Sequence, residues 1–259
     1  MNDIVTEQSG GILRIALNRP GKKNAMTSGM YTLLAGIFDD AARDDSVRAV
    51  VWHGAGDAFT AGNDIRDFLE NPPVEKASPQ GMLMHALLDF DKPLIAAVHG
   101  AAVGGGTTML LHCDFVYAAE NTRFQLPFIN LALPQEFGSS FLLPLAIGHR
   151  RAAEMVLLGQ PFGAAQAREL GLVTEVVPDA EALSVAMRTA QDLVAKPAGA
   201  LQTAKRLLKR SFRDRISAAM DAENAAFSRQ ARSDEAKEAF AAFLEKRPPA
   251  KTRQPAAAE

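Results

Sequence analysis

Two features of this sequence could do chemistry together, a glycine triplet, Gly104–Gly106, and a later acidic residue, Glu136. The triplet follows the apolar run Leu94–Val98 and precedes a run with helical character. Glycines between a strand and a helix let the backbone turn sharply and leave free N–H groups at the helix N-terminus. Such groups attract a bound anion or an oxyanion that develops during a reaction. We therefore predict that the glycines stabilise an oxyanion and that Glu136 moves a proton.

Each of these features also has a purely structural interpretation. A glutamate at the start of a helix is favoured by the helix dipole, and a glycine triplet can allow a helix to pack closely on a strand. A second loop of small residues, Phe59–Ile65, favours the catalytic interpretation, because it offers further backbone donors. Asp114 and Glu120 flank the run Phe115–Ala119, which leaves Glu136 as the acidic residue of this region away from a strand end.

The elements that must position these residues alternate between strand and helix over the first part of the chain. Apolar or alternating runs predict strands at Ile12–Leu17, Val47–Trp52, Leu94–Val98 and Val173–Val177. Thr27 or Ser28 can cap a helix that runs to about Arg43. Its predicted apolar face consists of Met30, Leu33, Leu34, Ile37 and Phe38. This alternation predicts an α/β fold.

From Asp179 onward the pattern becomes almost entirely helical. The predicted helices there are Ala182–Val194, one that begins at Pro197, Ile216–Gln230 and Ser233–Leu244. Further predicted helices span Gly138–Ile147 and Arg150–Leu158, and Asn71–Pro79 is predicted to be a surface loop. This change of pattern predicts a helical module at the C-terminal side of the chain.

Composition limits the classes of function. The chain has 259 residues, 47% hydrophobic and 22% charged, as expected for a soluble globular protein, and its net charge of -2 gives no reason to expect a nucleic-acid partner. The single cysteine, Cys113, and five histidines without ligand spacing predict no metal site. We see no secretion signal and no apolar run of about 20 residues, so we expect no membrane partner and a cytoplasmic location.

The order and spacing of several motifs resemble the crotonase (enoyl-CoA hydratase/isomerase) superfamily. The two loops Phe59–Ile65 and Gly100–Gly106 carry the resemblance, supported by Asn18-Arg19-Pro20 with Asn24-Ala25-Met26, and by Cys113-Asp114. The resemblance covers nearly the whole chain. It implies a spiral of ββα units with a C-terminal helical trimerisation region. It also implies a catalytic core over residues 1–196, helices for oligomerisation over 197–247 and a flexible tail over 248–259.

The resemblance implies acyl-CoA substrates and assigns roles to individual residues. Two backbone N–H groups, of Asn63 and Gly105, would hold the thioester oxygen when it becomes an enolate. No separate cofactor is expected, because coenzyme A is part of the substrate, and the protein is expected to form a trimer or a dimer of trimers. The residues implied in binding substrate or coenzyme A are Lys23, Ala25, Ala61, Asn63, Asp64, Ile65, Arg66, Gly105 and Phe128. Asp64 could instead cap a helix, Lys23 and Arg66 could be solvated, and Phe128 could belong to the core.

The family's hydratases carry two glutamates, at positions that fall on Thr108 and Phe128 here. Neither side chain can act as an acid or base at neutral pH. The stretch Pro127–Ser140 instead resembles Δ3,Δ2-enoyl-CoA isomerases, whose single catalytic glutamate falls on Glu136. The resemblance therefore implies an isomerase that converts 3-enoyl-CoA to trans-2-enoyl-CoA. A hydratase-like enzyme with other enolate chemistry and a non-catalytic acyl-CoA-binding protein remain as alternatives.

Overall fold

The computed structural model describes residues 2–71 and 78–248. Most of the predicted loop at 71–79, and all but Pro248 of the predicted tail at 248–259, lie outside these residues. No helix in the described part of the chain is long and apolar enough to cross a membrane.

Six strands form the main sheet, which is parallel except at one edge. They are β1 (Ile4–Ser9), β2 (Ile12–Leu17), β3 (Ala49–Gly54), β4 (Leu94–Val98), β6 (Phe115–Ala119) and β9 (Glu175–Val177), in the order β1-β2-β3-β4-β6-β9. β1 and β2 form an antiparallel hairpin, and each later strand adds in parallel to the one before it. Parallel neighbours need a crossover connection, which the helices supply.

A second, smaller sheet lies beside the first and completes the spiral. It contains β5 (Ala101–Val103), β7 (Arg123–Gln125) and β8 (Phe162–Gly163), in the order β5-β7-β8. The chain passes from β4 to β5 and from β6 to β7, so each turn adds one strand to each sheet. Thr60, after β3, joins this pattern through a bridge to Ala102. The expected spiral of ββα units is confirmed.

Helices connect the strands and form the C-terminal region. The helices before β9 are α1 (Ser28–Arg43), α2 (Ile65–Glu70), α3 (Pro79–Asp89), α4 (Gly105–Thr108), α5 (Ser139–Ile147), α6 (His149–Leu158) and α7 (Ala164–Glu169). The helices after β9 are α8 (Ala182–Val194), α9 (Ala198–Arg210), α10 (Arg213–Gln230) and α11 (Asp234–Leu244). Short 3-10 helices cover Pro20–Lys22, Met109–His112 and Pro127–Leu131.

The central strands of the main sheet are buried on both faces. Val50 and Trp52 of β3 point into a large core with α1 and α3, whereas Val51 points into a smaller core against α8. Alternate side chains of an extended strand point to opposite faces, so both sets of alternate positions are apolar. The small side chains on the buried face of α8, such as Ala186, let this helix lie against the sheet.

The predicted apolar face of α1 is partly wrong. Leu33 is 49% exposed, and the buried face instead includes Tyr31, Ala35 and Ala41 besides Leu34. Met30, Leu34 and Phe38 belong to both faces, and the observed face is rotated toward Tyr31 and Ala35 because the prediction placed apolar side chains by type alone. This rotation turns a tyrosine hydroxyl into the protein interior.

The predicted boundaries of several strands also differ from the observed ones. β3 begins at Ala49 rather than Val47, and β9 begins at Glu175 rather than Val173. β1, β5, β7 and β8 were not predicted. β5, β7 and β8 have two or three residues each, too few for a hydrophobic period to emerge.

The last two helices pack onto the spiral of their own chain. α10 contacts α3 and α5, and α11 contacts the 3-10 helix Pro127–Leu131. Phe227 of α10 and Phe240 of α11 both meet Phe68 of α2 edge-on, with ring centroids 5.8 and 5.5 Å apart. The C-terminal helices therefore cover the region between α2 and the second sheet.

Asn24 ties the loop before α1 to the loop after β3. Its side chain is fully buried and donates to the carbonyls of Ala55 and Ala58, at 2.8 and 2.7 Å, while its oxygen accepts from the N–H of Arg19. Its own carbonyl accepts from the hydroxyl of Thr60 at 2.7 Å. Asn24 has a φ of 55°, a left-handed conformation that asparagine tolerates better than alanine does.

We predict that Asn24→Ala lowers the free energy of unfolding by about 3 kcal/mol, because it leaves two carbonyls without their donor and strains the backbone. Urea denaturation measures this loss. Asn18→Ala is the matched control, since the Asn18 side chain makes one exposed hydrogen bond, to the carbonyl of Asn2. Equal losses in the two variants would contradict the role assigned to Asn24.

Candidate functional site

Two loops from different turns of the spiral meet backbone to backbone. In the first, Gly62 has a φ of 86°, and a Cβ there would lie 2.7 Å from the carbonyl oxygen of Val103 in the second. In the second loop, a Cβ on Gly106 would lie 2.4 Å from Cγ2 of Thr60. Contacts this short leave no space for a side chain, so these glycines are required for the close approach of the loops.

Main-chain hydrogen bonds fix the first loop so that one donor remains free. The N–H of Met26 donates to the carbonyl of Gly62, and the N–H of Asp64 donates to the carbonyl of Met26, both at 2.8 Å. The intervening N–H of Asn63 donates to no acceptor within residues 2–71 and 78–248, and the same holds for the N–H of Gly105, the first residue of α4. Two unengaged N–H groups are the donors that an oxyanion needs.

Both donors belong to the wall of one cavity of about 330 Å³. Most of its lining is apolar, with contributions from Ile65, Phe128 and Leu133 and from helix α11. Among the described residues, the lining consists of Ala61, Gly62, Asn63, Ile65, Phe68, Val103, Gly104, Gly105, Gln125, Pro127, Phe128, Asn130, Leu131, Leu133, Ala239, Ala242, Phe243 and Arg247. An apolar cavity with a few converging polar groups is typical of a small-molecule site.

Glu136 lies beside this wall, at Gly105. Its side chain is 2% exposed, and its Oε1 would be 2.9 Å from a Cβ on Gly105. Oε1 has no hydrogen-bond partner among the described residues. Burial, with a smaller contribution from the nearby carboxylate of Glu223, raises the pKa of Glu136 to about 8. A buried, unpartnered carboxyl with such a pKa can both take up and release a proton near neutral pH.

Tyr31 of α1 is a site residue that sequence reasoning missed. Its hydroxyl donates to Oδ1 of Asn63 at 2.6 Å and would lie 3.2 Å from a Cβ on Gly105. Burial, together with the charge of Glu136, raises the pKa of Tyr31 well above its usual range, so the phenol stays protonated and remains a donor. The signal that could have found Tyr31 is its spacing from Leu34, Ala35 and Phe38, which continues one helical face.

Other predicted binding residues lie around the cavity rather than in its lining. Lys23 is exposed, and its carbonyl accepts from the N–H of Ala61 at 2.8 Å. The carbonyl of Ala25 accepts from the guanidinium of Arg19. Asp64 caps α2 by accepting from the N–H of Arg66 and pairs with Arg19 at 3.1 Å. Arg66 is exposed. The structure thus gives Asp64 the capping role, and binding of coenzyme A by these four residues remains a prediction.

The two positions of the hydratase glutamates are both buried. Thr108 is 1% exposed and lies within hydrogen-bonding distance of the carbonyls of Gly104 and Gly105. Phe128 is 4% exposed, lines the cavity, and lies 3.8 Å from where a Cβ on Gly104 would be. Neither position brings a carboxylate to the N–H groups of Asn63 and Gly105.

Known proteins resemble this chain over nearly its whole length. The family model described as enoyl-CoA hydratase/isomerase matches residues 7–254. The chain is 34% identical to 2,3-dehydroadipyl-CoA hydratase of Escherichia coli, with 96% of this chain and 98% of that protein covered. It is 33% identical to enoyl-CoA delta isomerase 2 of Rattus norvegicus, with 95% of this chain covered but 64% of the length of the rat protein.

Solved structures show the same fold. The chain superposes on the structure of OdaA from Pseudomonas aeruginosa with a TM-score of 0.92 and 44% identity, covering 94% of this chain and 99% of that one. An enoyl-CoA hydratase/isomerase structure from Pseudoalteromonas atlantica gives a TM-score of 0.91 at 35% identity, with coverage of 97% and 100%.

We predict that Gly105→Ala displaces the carboxyl of Glu136 and lowers the free energy of unfolding by about 1–3 kcal/mol, because the new methyl group meets two buried side chains, Glu136 and Tyr31. A crystal structure and urea denaturation measure the two effects. Gly36→Ala, in open space on α1, is the control that leaves Glu136 in place. An unmoved carboxyl in Gly105→Ala would refute the placement of Glu136 beside Gly105.

Proposed function

The chain belongs to the enoyl-CoA hydratase/isomerase family, and from this premise we propose that it moves the double bond of a 3-enoyl-CoA to give a trans-2-enoyl-CoA. It is an enzyme of that family that acts on acyl-CoA thioesters. The observation that carries the finer proposal is the buried carboxyl of Glu136 beside Gly105, whose N–H has no acceptor among the described residues.

Moving a double bond needs one group that takes a proton and returns it. In the proposed reaction, the carboxylate of Glu136 removes a proton from C2 of the substrate. The electrons of that C–H bond delocalise over the thioester, whose oxygen becomes the anion of a dienolate. The N–H groups of Asn63 and Gly105 donate to that oxygen, and each such donor stabilises a developing oxyanion by about 3–4 kcal/mol. The carboxyl of Glu136 then gives its proton to C4, which leaves the double bond between C2 and C3.

Hydration makes a different demand on the site. A water must be held and deprotonated while the α-carbon is protonated, and two carboxylates share this work in the hydratases of the family. Glu136 lies beside the cavity wall at Gly105, none of the described lining residues is acidic, and the two hydratase positions are Thr108 and Phe128, so the described lining supplies no second carboxylate. The relatives include both hydratases and isomerases, so their names do not decide between the two reactions. The number of carboxyl groups available for the chemistry, one rather than two, favours isomerisation.

Two further parts of the proposal rest on the resemblance. Proton transfer within one substrate uses no separate cofactor, since coenzyme A arrives as part of the thioester. We also propose a trimer or a dimer of trimers. The exposed leucines of α9, Leu207 and Leu208, at 60% and 77% exposure, offer apolar surface for contact between subunits.

We predict that Glu136→Gln slows conversion of trans-3-hexenoyl-CoA by about 10³-fold or more, because the amide cannot take up the proton. Ultraviolet absorbance of the conjugated product measures the rate, and calorimetry checks that binding of the thioester persists. Glu120→Gln, an exposed carboxyl after β6, is the matched control. A parallel assay with crotonyl-CoA tests for hydration, which increases the mass of the thioester by one water molecule. Full turnover by Glu136→Gln, or hydration as the main activity, would sink the isomerase proposal.

We predict that kcat/KM of the native enzyme rises with pH until about pH 8, because Glu136 acts as a base only when ionised and burial raises its pKa to about 8. Below that pH the protonated fraction is inactive. Initial rates with trans-3-hexenoyl-CoA across a pH series give the midpoint, and recovery of activity after return to neutral pH separates titration from unfolding. A midpoint near the ordinary glutamate value would show that the base is not the buried carboxyl.

A further inference from the structure

The turn that follows Glu136 has an unusual backbone. Phe137 has a φ of 64° and Gly138 a φ of 69°, so two successive residues adopt the left-handed conformation. For a bulky residue such as Phe137 this costs about 1–2 kcal/mol. Such a turn persists only when its surroundings hold it. Two buried side chains from other elements do so.

His112 holds the first half of the turn. It ends the 3-10 helix that follows the glycine loop, and its Nε2 lies 2.8 Å from the carbonyl oxygen of Phe137. Burial lowers the pKa of His112 to about 4, so the ring is neutral and carries its proton on Nε2 when it donates to this carbonyl. The segment that carries Gly105 is thereby attached to the turn that carries Glu136.

Glu223 holds the second half. It projects from α10, is 5% exposed, and accepts from the N–H of Gly138 through Oε2 and from the N–H of Ser140 through Oε1, both at 2.7 Å. These N–H groups lie at the start of α5, whose first residues have no partners within the helix. The N-cap residue Gly138 offers no side chain, so a carboxylate from a distant helix takes its place.

Capping of the N-terminus of α5 does not by itself explain why a carboxylate is buried at this turn. A hydroxyl or amide oxygen satisfies the same kind of N–H group at less desolvation cost. The charge of Glu223 also acts on Glu136, because two carboxylates buried at one turn repel each other. This repulsion adds to burial in raising the pKa of Glu136.

We propose that Glu223 is a positioning residue of the reaction: it fixes the turn that directs the Glu136 carboxyl to Gly105, and it places a second buried negative charge beside that carboxyl. This inference rests on the proposed function for its kinetic consequences only. Glu223 is not among the described residues that line the cavity, and both its oxygens are engaged by backbone donors, so it does not serve as the second carboxylate of a hydratase.

The direction of the electrostatic effect follows from the groups around Glu136. Tyr31 of α1 is a neutral phenol, and Glu223 of α10 carries the charge that acts on Glu136. His112, which contacts the carbonyl of Phe137, is neutral. The positive charges of Lys205 and Lys209 on α9 add to burial in lowering the pKa of His112. Removing the charge of Glu223 therefore lowers the pKa of Glu136, and the ionised base is available at lower pH.

Two variants test the charge of Glu223 and the length of its side chain. Glu223→Gln keeps the length, removes the charge and leaves one oxygen to accept from the two N–H groups, whereas Glu223→Asp keeps the charge and both oxygens on a shorter side chain. Asp214→Asn, an exposed carboxyl at the start of the same helix, is the control. Infrared difference spectra against Glu136→Gln in the same background follow the protonated carboxyl of Glu136 through a pH series, without any substrate.

We expect the Glu136 midpoint to fall by about one pH unit or more in Glu223→Gln and to stay near the native value in Glu223→Asp. We expect kcat with trans-3-hexenoyl-CoA to fall about tenfold or more in Glu223→Asp, with KM changed far less. An unchanged midpoint in folded Glu223→Gln, or native kcat in Glu223→Asp, would overturn the proposal. If Glu223→Gln does not fold, the Glu223→Asp result decides. The infrared titration needs no turnover, so it remains decisive even if the isomerase activity is absent.

Discussion

The close approach of two backbone loops is the constraint on which the rest of the site depends. Gly62 and Val103 meet at a distance that excludes a side chain, and Gly106 meets Thr60 in the same way. Each loop follows a strand of a different turn of the spiral, so the contact requires the two sheets to be in their observed register. Asn24 holds the first loop in place, because it donates to the carbonyl of Ala58 and accepts from the hydroxyl of Thr60. Because the donors at Asn63 and Gly105 belong to the backbone, the spiral itself orients them before any substrate arrives.

A buried carboxyl next to these donors is energetically unfavourable in the free protein. Glu136 has lost its hydration, its Oε1 has no partner in the described part of the chain, and a second carboxyl lies close by. The surrounding structure compensates with hydrogen bonds to the adjoining main chain rather than to the carboxyl itself. Residues that break local rules in this way are expected to cluster at functional sites.

Much of this arrangement could be predicted from the sequence, and the exceptions have physical causes. The glycine loops, the helix cap at Thr27 and the C-terminal helices leave local signals, since each depends on residue types close together in the chain. The helical spacing of Tyr31 indicates that it is buried but not that it contacts Asn63, 32 residues away, and no local pattern indicates that Glu223 reaches Gly138, 85 residues away. The rotation of α1 and the docking of α10 depend on packing, which hydrophobic period alone does not specify. The short strands of the second sheet depend on their neighbours in the same way.

The contribution of the C-terminal helices to the cavity has a consequence for biosynthesis. Ala239, Ala242, Phe243 and Arg247 form part of its wall, and Glu223 reaches back to the start of α5. Until these residues have been synthesised, the chain lacks one side of the pocket and the hydrogen bonds to Glu223 that hold the turn after Glu136. The pocket is therefore completed only near the end of translation.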